Sequence, residues 1–167
     1  MKKIVLISTG GTIEKAYDEL SGLLSNEVSV LDIMLARMDL RGVEIERLAL
    51  MSKDSLQMTP ADHALIAATA SRAAQTHDGV IVVHGTDTLA VTGETILALC
   101  NPPDAPIVIT GAMRPYALRN TDSMQNLVEA LLAVQLCAPG VYVAMHNQVL
   151  AFPGVTKDKV LGTFVKE

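Results

Sequence analysis

Two apolar rhythms take turns along this chain, and that alternation restricts its fold more than any other feature. Short runs rich in β-branched and aliphatic residues occur at Lys3–Ser8, Val43–Leu50, Val80–Val83, Ile107–Thr110 and Val141–Met145. Between them, Val28–Met38, the Ala-rich stretch from Pro60 to about Thr76, Thr92–Leu99 and Asp122–Leu136 carry helical spacing. Continuous apolar runs this short suit strands covered on both faces, and the alternating Val43–Leu50 suits a half-covered one. Strand and helix in strict alternation predict an α/β fold: a doubly wound, mostly parallel sheet with helices on both faces, flavodoxin-like and three-layered. Ligands of such sheets bind beyond the carboxyl ends of the strands, where the strand order reverses.

The punctuation agrees with this reading. Thr59 can cap a helix whose first residue is Pro60, with Asp62 favouring the helix dipole. Asp78-Gly79 turns into the third strand, and Asn101-Pro102-Pro103 breaks a helix. The last stretch, Gln148–Glu167, is shorter and less regular. No repeat, low-complexity tract or linker interrupts the chain, so residues 1–167 read as one domain. Half of the residues are apolar but only 3% are aromatic, with no Trp, so the core must come from Val, Ile, Leu, Ala and Met.

Several function classes are disfavoured. A net charge of -5 without a basic patch argues against a nucleic-acid partner. The run after Met1-Lys2-Lys3 stops at Ser8-Thr9-Gly10-Gly11, too short for a secretory signal core of roughly 7–15 residues. Mean hydropathy is +0.35, but Glu129, Gln135 and Pro139 interrupt the longest apolar stretch, and nothing reads as a membrane span. Cys100 and Cys137 end apolar helical patterns and read as buried thiols. The four His are scattered, so no metal site is expected, and no organic cofactor either. These readings point to the cytoplasm.

The unusual residues sit where strands end. The first run closes in Thr9-Gly10-Gly11-Thr12, whose glycines let main-chain amides approach a ligand while Thr12 offers a hydroxyl beside them. One loop could thus supply a nucleophile and oxyanion donors. Taken alone, it reads sooner as a tight strand-to-helix turn. A phosphate cradle fits poorly, because Gly11 is followed by Thr12, Ile13 and the acidic Glu14 rather than by Gly-Lys-Ser/Thr. The third run closes in His84-Gly85-Thr86-Asp87-Thr88, where Asp87 could be a helix cap. Two strand ends that both present Gly-Thr favour a shared site. A hydroxyl nucleophile needs a base, and Lys157 in Gly154-Val155-Thr156-Lys157 is the candidate, although spacing alone does not bring it to the site.

Thr9-Gly10-Gly11-Thr12-Ile13, His84-Gly85-Thr86-Asp87-Thr88, Thr110-Gly111-Ala112-Met113-Arg114-Pro115 and Val155-Thr156-Lys157 follow one another as in the bacterial-type L-asparaginases, which this chain resembles over nearly its whole length. Asp54-Ser55-Leu56-Gln57-Met58-Thr59 resembles that family's substrate-binding segment. The resemblance implies that Thr12 is the nucleophile of an acyl-enzyme and that Thr86, Lys157 and Asp87 form a triad in which Lys157 takes the Thr86 proton. It implies oxyanion donors at Gly11 and Thr86, Asp87 on the substrate ammonium, and Ser55 with Asp54 at its carboxylate end. Which threonine attacks first is carried by the resemblance alone. Tyr17 is the candidate for the family's lid tyrosine, although it stands closer to Thr12 than is usual. His84 is expected to point into the core, and Arg114 and Arg119 to hold a loop or interface near Asp122.

Family members run to about twice this length, and the sequence resembles their N-terminal catalytic half, with the C-terminal domain absent. The expected activity is hydrolysis of L-asparagine to L-aspartate and ammonia, with L-glutamine a weaker substrate. One rival is the asparaginase-like subunit of a tRNA-dependent amidotransferase, which would call for an added N-terminal module and some basic surface. The other is a non-catalytic amino-acid-binding module. A domain without its usual neighbour would expose apolar surface, so a homodimer or homotetramer is expected.

Overall fold

The computed structural model describes residues 1–18, 23–25 and 29–166, with side chains for all of these except 16–18 and 23–25. In chain order the strands and helices are β1 (Lys2–Gly10), β2 (Ala16–Asp18), β3 (Leu23–Ser25), α1 (Val30–Ala36), β4 (Val43–Lys53), α2 (Pro60–Ala74), β5 (Gly79–Val83), α3 (Leu89–Leu99), β6 (Ile107–Thr110), α4 (Ser123–Leu136), β7 (Val141–Met145), β8 (Gln148–Ala151), β9 (Val155–Asp158) and β10 (Thr163–Lys166).

Six strands form the central sheet in the order β4-β1-β5-β6-β7-β8. Every neighbouring pair is parallel except β7 with β8. Among the parallel strands, the second in sequence lies beside the first, and the rest follow outward on the other side. This is the flavodoxin-like order, and it reverses between β1 and β5. The carboxyl ends of those two strands are the two Gly-Thr loops.

Strand periodicity explains the layering. Val5, Ile7, Val80, Val82, Ile107 and Ile109 face one side and pack on Ile66, Ala67 and Ala70 of α2 and on Leu89 and Ile96 of α3. Ile4, Leu6, Ile81, Val83 and Val108 face the other and pack on Leu31 and Met34 of α1 and on Leu127, Ala130 and Val134 of α4. Each of the larger side chains, fully buried, contributes about 1.5–3 kcal/mol through water exclusion. The sheet edge at β4 is half-covered, with Glu44 and Glu46 on its open face, and charge on an edge strand discourages pairing with another chain. No described helix is long and apolar enough to cross a membrane.

Several boundaries differ from the sequence reading. α3 begins at Leu89, three residues before Thr92, because Leu89 is drawn wholly into the core. α1 spans Val30–Ala36, with Val30, Leu31 and Met34 inward; Ile33 is exposed, and Val28 lies outside the described residues. Asp122 precedes α4 without capping it through its side chain; that carboxylate instead accepts from the Met113 and Arg114 amides, at 2.9 Å each, and from His146. The stretch read as irregular contains β8 and an antiparallel hairpin, β9–β10, and Lys157 lies within β9. The cap on α2 is as expected: Thr59 and Asp62 exchange hydrogen bonds. Cys100 and Cys137 are free, half-buried thiols at helix ends.

Candidate active site

The loop after β1 and the loop after β5 touch backbone to backbone. Gly11 has φ +90°, and a side chain there would start 2.6 Å from the Gly85 nitrogen and 2.7 Å from its Cα. Just before it, the Thr9 hydroxyl donates to the Val83 carbonyl at 2.8 Å, tying the two strand ends together. Behind the loop, the buried Glu14 carboxylate accepts from the Gly10 amide at 3.2 Å. Burial pushes this carboxyl above its ordinary range, while Arg47 and the Gly10 amide pull the other way. Glu14 therefore holds an amide that a phosphate cradle would need free. Thr12 opens a short 3-10 turn, Thr12–Glu14, and is half-buried.

Strand β4 delivers the next element. Gly10 pairs with Lys53 after a register shift, and the chain then turns through Ser55–Gln57. Asp54 caps this turn, accepting from the Leu56 amide at 3.0 Å, and pairs with Lys15 at 3.1 Å. The Leu56 amide and then Lys15 hold the Asp54 carboxyl below its usual value. Ser55 is only 2% exposed, and its Oγ lies 2.6 Å from where a side chain on Gly85 would begin. The Thr88 hydroxyl donates to the Ser55 carbonyl at 3.0 Å, so this turn is fastened to the β5 loop as well.

Lys157 arrives from the β9–β10 hairpin. Val155, Phe164 and the preceding Phe152 anchor that hairpin in the α2–α3 side of the core, and the Gly154 amide donates to Glu94 of α3 at 2.8 Å. The Lys157 ammonium donates to Thr86 Oγ1 at 2.8 Å and to Asp87 Oδ1 at 2.7 Å. The lysine side chain is 18% exposed and that of Asp87 39%, so the cluster opens to solvent on the aspartate side. A hydroxyl, an amine and a carboxylate at these distances can relay a proton, and glycine-lined amides beside them can receive an oxyanion.

The structure therefore brings together the Gly11–Thr12 loop, Ser55, Thr86, Asp87 and Lys157. It gives the Asp54 carboxylate to the turn and to Lys15. Tyr17 lies in β2, in register with Leu24 of β3; its side chain lies outside the described residues. Arg114 pairs loosely with Asp122, at 3.9 Å, and Arg119 is exposed. No group of three or more His, Cys, Asp or Glu among the described residues could hold a metal ion.

A second set of polar contacts has no signature in the sequence. His84 is completely buried, with Nδ1 2.7 Å from the Gly85 carbonyl oxygen and Nε2 2.8 Å from Thr92 Oγ1. The same Thr92 oxygen lies 2.7 Å from Nδ1 of His63. His84 does point inward, as expected, but onto polar partners. Burial lowers its pKa from 6.5 to about 4, so the ring is neutral near pH 7. The unfolded chain binds this proton near pH 6.5 and the folded chain only near 4, so in that window the unfolded state holds more protons. Stability is therefore expected to fall as pH drops from 6.5 to 4, by up to about 3 kcal/mol from this residue, and to level off below. Urea unfolding of the wild type and of His84→Asn across that window checks it: the two slopes must differ, with the variant the flatter.

An α/β sheet of this order thus carries a hydroxyl-amine-carboxylate cluster at its switch point. The chain belongs to the asparaginase family, matching the family model "Asparaginase, N-terminal" over residues 3–163. It is 33% identical over 164 residues to the L-asparaginase of Thermococcus kodakarensis, covering 96% of this chain and 49% of that one. The structure of that thermostable enzyme superposes with a TM-score of 0.88, covering 98% of this chain and 51% of the other. A structure described as a probable cytoplasmic L-asparaginase from Campylobacter jejuni, 28% identical, superposes at 0.80 over 99% and 53% of the two chains. The chain is also 34% identical over 145 residues to a glutamyl-tRNA(Gln) amidotransferase subunit of Haloquadratum walsbyi, covering 86% of this chain and 33% of that protein. It thus spans about half the length of the one curated relative and a third of the other.

Proposed function

We propose that this chain carries the catalytic apparatus of an amidohydrolase that converts L-asparagine to L-aspartate and ammonia through a threonyl ester. The observation that carries this reading is the placement of Lys157 Nζ within 2.8 Å of Thr86 Oγ1 and 2.7 Å of Asp87 Oδ1, beside the Thr12 loop. A lysine is a base only in its neutral form. In that form it accepts the Thr86 proton, and Asp87 balances the resulting ammonium. Thr12 Oγ attacks the side-chain amide carbon of the substrate, its proton passes through Thr86 to the departing nitrogen, and ammonia leaves. The Gly11 and Thr86 amides receive the oxyanion. Water then splits the ester: one of its protons goes to Thr12, its hydroxyl completes the carboxyl group that ionises as aspartate leaves, and Lys157 gives its proton back to Thr86. Ser55, on the turn that Asp54 caps, takes the substrate's carboxylate end, while Asp87 takes its ammonium.

The test needs only purified protein and L-asparagine, without ATP or tRNA. Ammonia and aspartate should appear in equal amounts from asparagine, ammonia and glutamate more slowly from glutamine, and acid quenching of the asparagine reaction should trap an aspartyl ester on the Thr12-bearing peptide. An ester on the Thr86 peptide instead would reverse the assignment of the nucleophile. No ammonia at all would sink the reading. Similarity to the glutamyl-tRNA(Gln) amidotransferase protein supports a second reading, an ammonia-supplying component of a larger enzyme. That reading requires turnover to depend on tRNA and on a partner.

A further inference from the structure

The hydrogen-bond directions around His84 can be assigned without ambiguity. The Gly85 carbonyl can only accept, so the ring nitrogen 2.7 Å away, Nδ1, carries the proton. In the neutral ring Nε2 is then an acceptor, and the Thr92 hydroxyl at 2.8 Å must donate to it. Its single proton committed, Thr92 Oγ1 accepts from Nδ1–H of His63 at 2.7 Å. A one-way chain of donors therefore runs from His63 on α2, through Thr92 on α3, to His84 at the end of β5, and ends on the Gly85 carbonyl. Thr92 and His84 are wholly buried and His63 is 6% exposed, so water does not compete along most of its length.

That carbonyl belongs to the peptide unit whose N–H is the Thr86 amide. We propose that His84 is a positioning residue for this amide, fixing its plane and strengthening its donor capacity through the Gly85 carbonyl, while Thr92 selects the required ring tautomer. The inference rests on the reading above in which the Thr86 amide is an oxyanion donor. Its physical basis is general. A hydrogen bond to a peptide oxygen polarises the unit and makes the attached N–H a better donor, and the effect grows where the dielectric is low. An oxyanion donor acts only if it is aimed before the charge develops. Depression of the His84 pKa to about 4 keeps the ring neutral, so the chain does not lose its direction near pH 7.

Two substitutions separate this role from packing. In His84→Asn the carboxamide nitrogen takes the place of Nδ1 and can still reach the Gly85 carbonyl. In His84→Gln the carboxamide takes the place of Nε2 and reaches Thr92 instead. Neither has a ring, so their NMR spectra compare directly. The Gly85 carbonyl carbon and Thr86 amide nitrogen shifts should stay near wild type in His84→Asn and move toward unbonded values in His84→Gln and in Thr92→Val. Turnover should follow: about tenfold lower kcat with little change in KM for His84→Gln, less than a removed oxyanion donor would cost, and near-normal kcat for His84→Asn. Thermal unfolding checks that each variant is folded. If the Gly85 and Thr86 shifts are the same in the Asn and Gln variants, or if folded forms of both lose kcat equally, the positioning role is wrong. If the wild type hydrolyses no asparagine, the amidohydrolase reading fails by itself, and the two shifts still decide whether His84 governs this peptide.

Discussion

Replacing Lys157 by methionine is expected to lower kcat for asparagine by about a thousandfold, within the range for removal of a positioned general base, while barely moving the unfolding midpoint. Methionine keeps much of the side chain's length, so the stem of Lys157 still fills the space beside Thr86. What is lost is the amine that bridges Thr86 Oγ1 and Asp87 Oδ1. Asp87 is 39% exposed, so water can take over its charge, and an ion pair open to solvent contributes at most about 1 kcal/mol. Lys157→Arg separates charge from basicity. The guanidinium can still pair with Asp87, but it does not give up its proton in proteins. Both variants should therefore be comparably inactive. An arginine variant that keeps more than about a tenth of wild-type turnover would falsify the base assignment, since a general base of this kind accounts for roughly 10²–10⁴.

What could be read from the sequence, and what could not, divides along physical lines. Val80–Val83 and Ile107–Thr110 were legible as strands because a strand buried on both faces must be apolar throughout, and little else is so short and so uniform. In the structure, the strand order puts the Gly-Thr loops at one switch point. Gly11 against Gly85 and Thr9 against Val83 bear that placement out.

Lys157 was different. Its hairpin mixes Thr, Lys, Asp and Gly over a handful of residues, with only Val155 and Phe164 buried, and no periodicity separates such a segment from a loop. The need for a base made it a candidate, but only resemblance assigned it to the site. The His63–Thr92–His84 chain was beyond the sequence for another reason. Its members sit on two helices and a strand end, and nothing local tells Thr92 that it faces two imidazoles. The partners of the Asp122 side chain were hidden in the same way, because the Met113 and Arg114 amides that claim it belong to a loop some eight residues earlier in the chain.

Gly11→Ala should be as damaging to the fold as Lys157→Met is to turnover: a loss of about 3 kcal/mol of stability, and turnover lower by at least about a hundredfold. Two costs combine. At φ +90° an L side chain is strained, and the new Cβ would press on the Gly85 nitrogen and Cα at 2.6 and 2.7 Å. Those are backbone atoms and cannot rotate away. Nor can the Gly85 loop retreat, because Ser55 stands directly behind it and Thr88 is fastened to the Ser55 carbonyl. The loops must part, carrying the Gly11 amide and Thr12 away from Thr86, and a displacement near 1 Å at a catalytic group costs about a hundredfold. Gly42→Ala supplies the control. Gly42 has φ +82°, but nothing lies within 4 Å of its would-be Cβ, so that variant carries the backbone strain alone, about 1 kcal/mol. Urea midpoints of the two variants measured side by side isolate the close approach. Were Gly11→Ala no less stable than Gly42→Ala, the two loops would be free to separate. Their contact would then not be what holds Thr12 and Thr86 in one site.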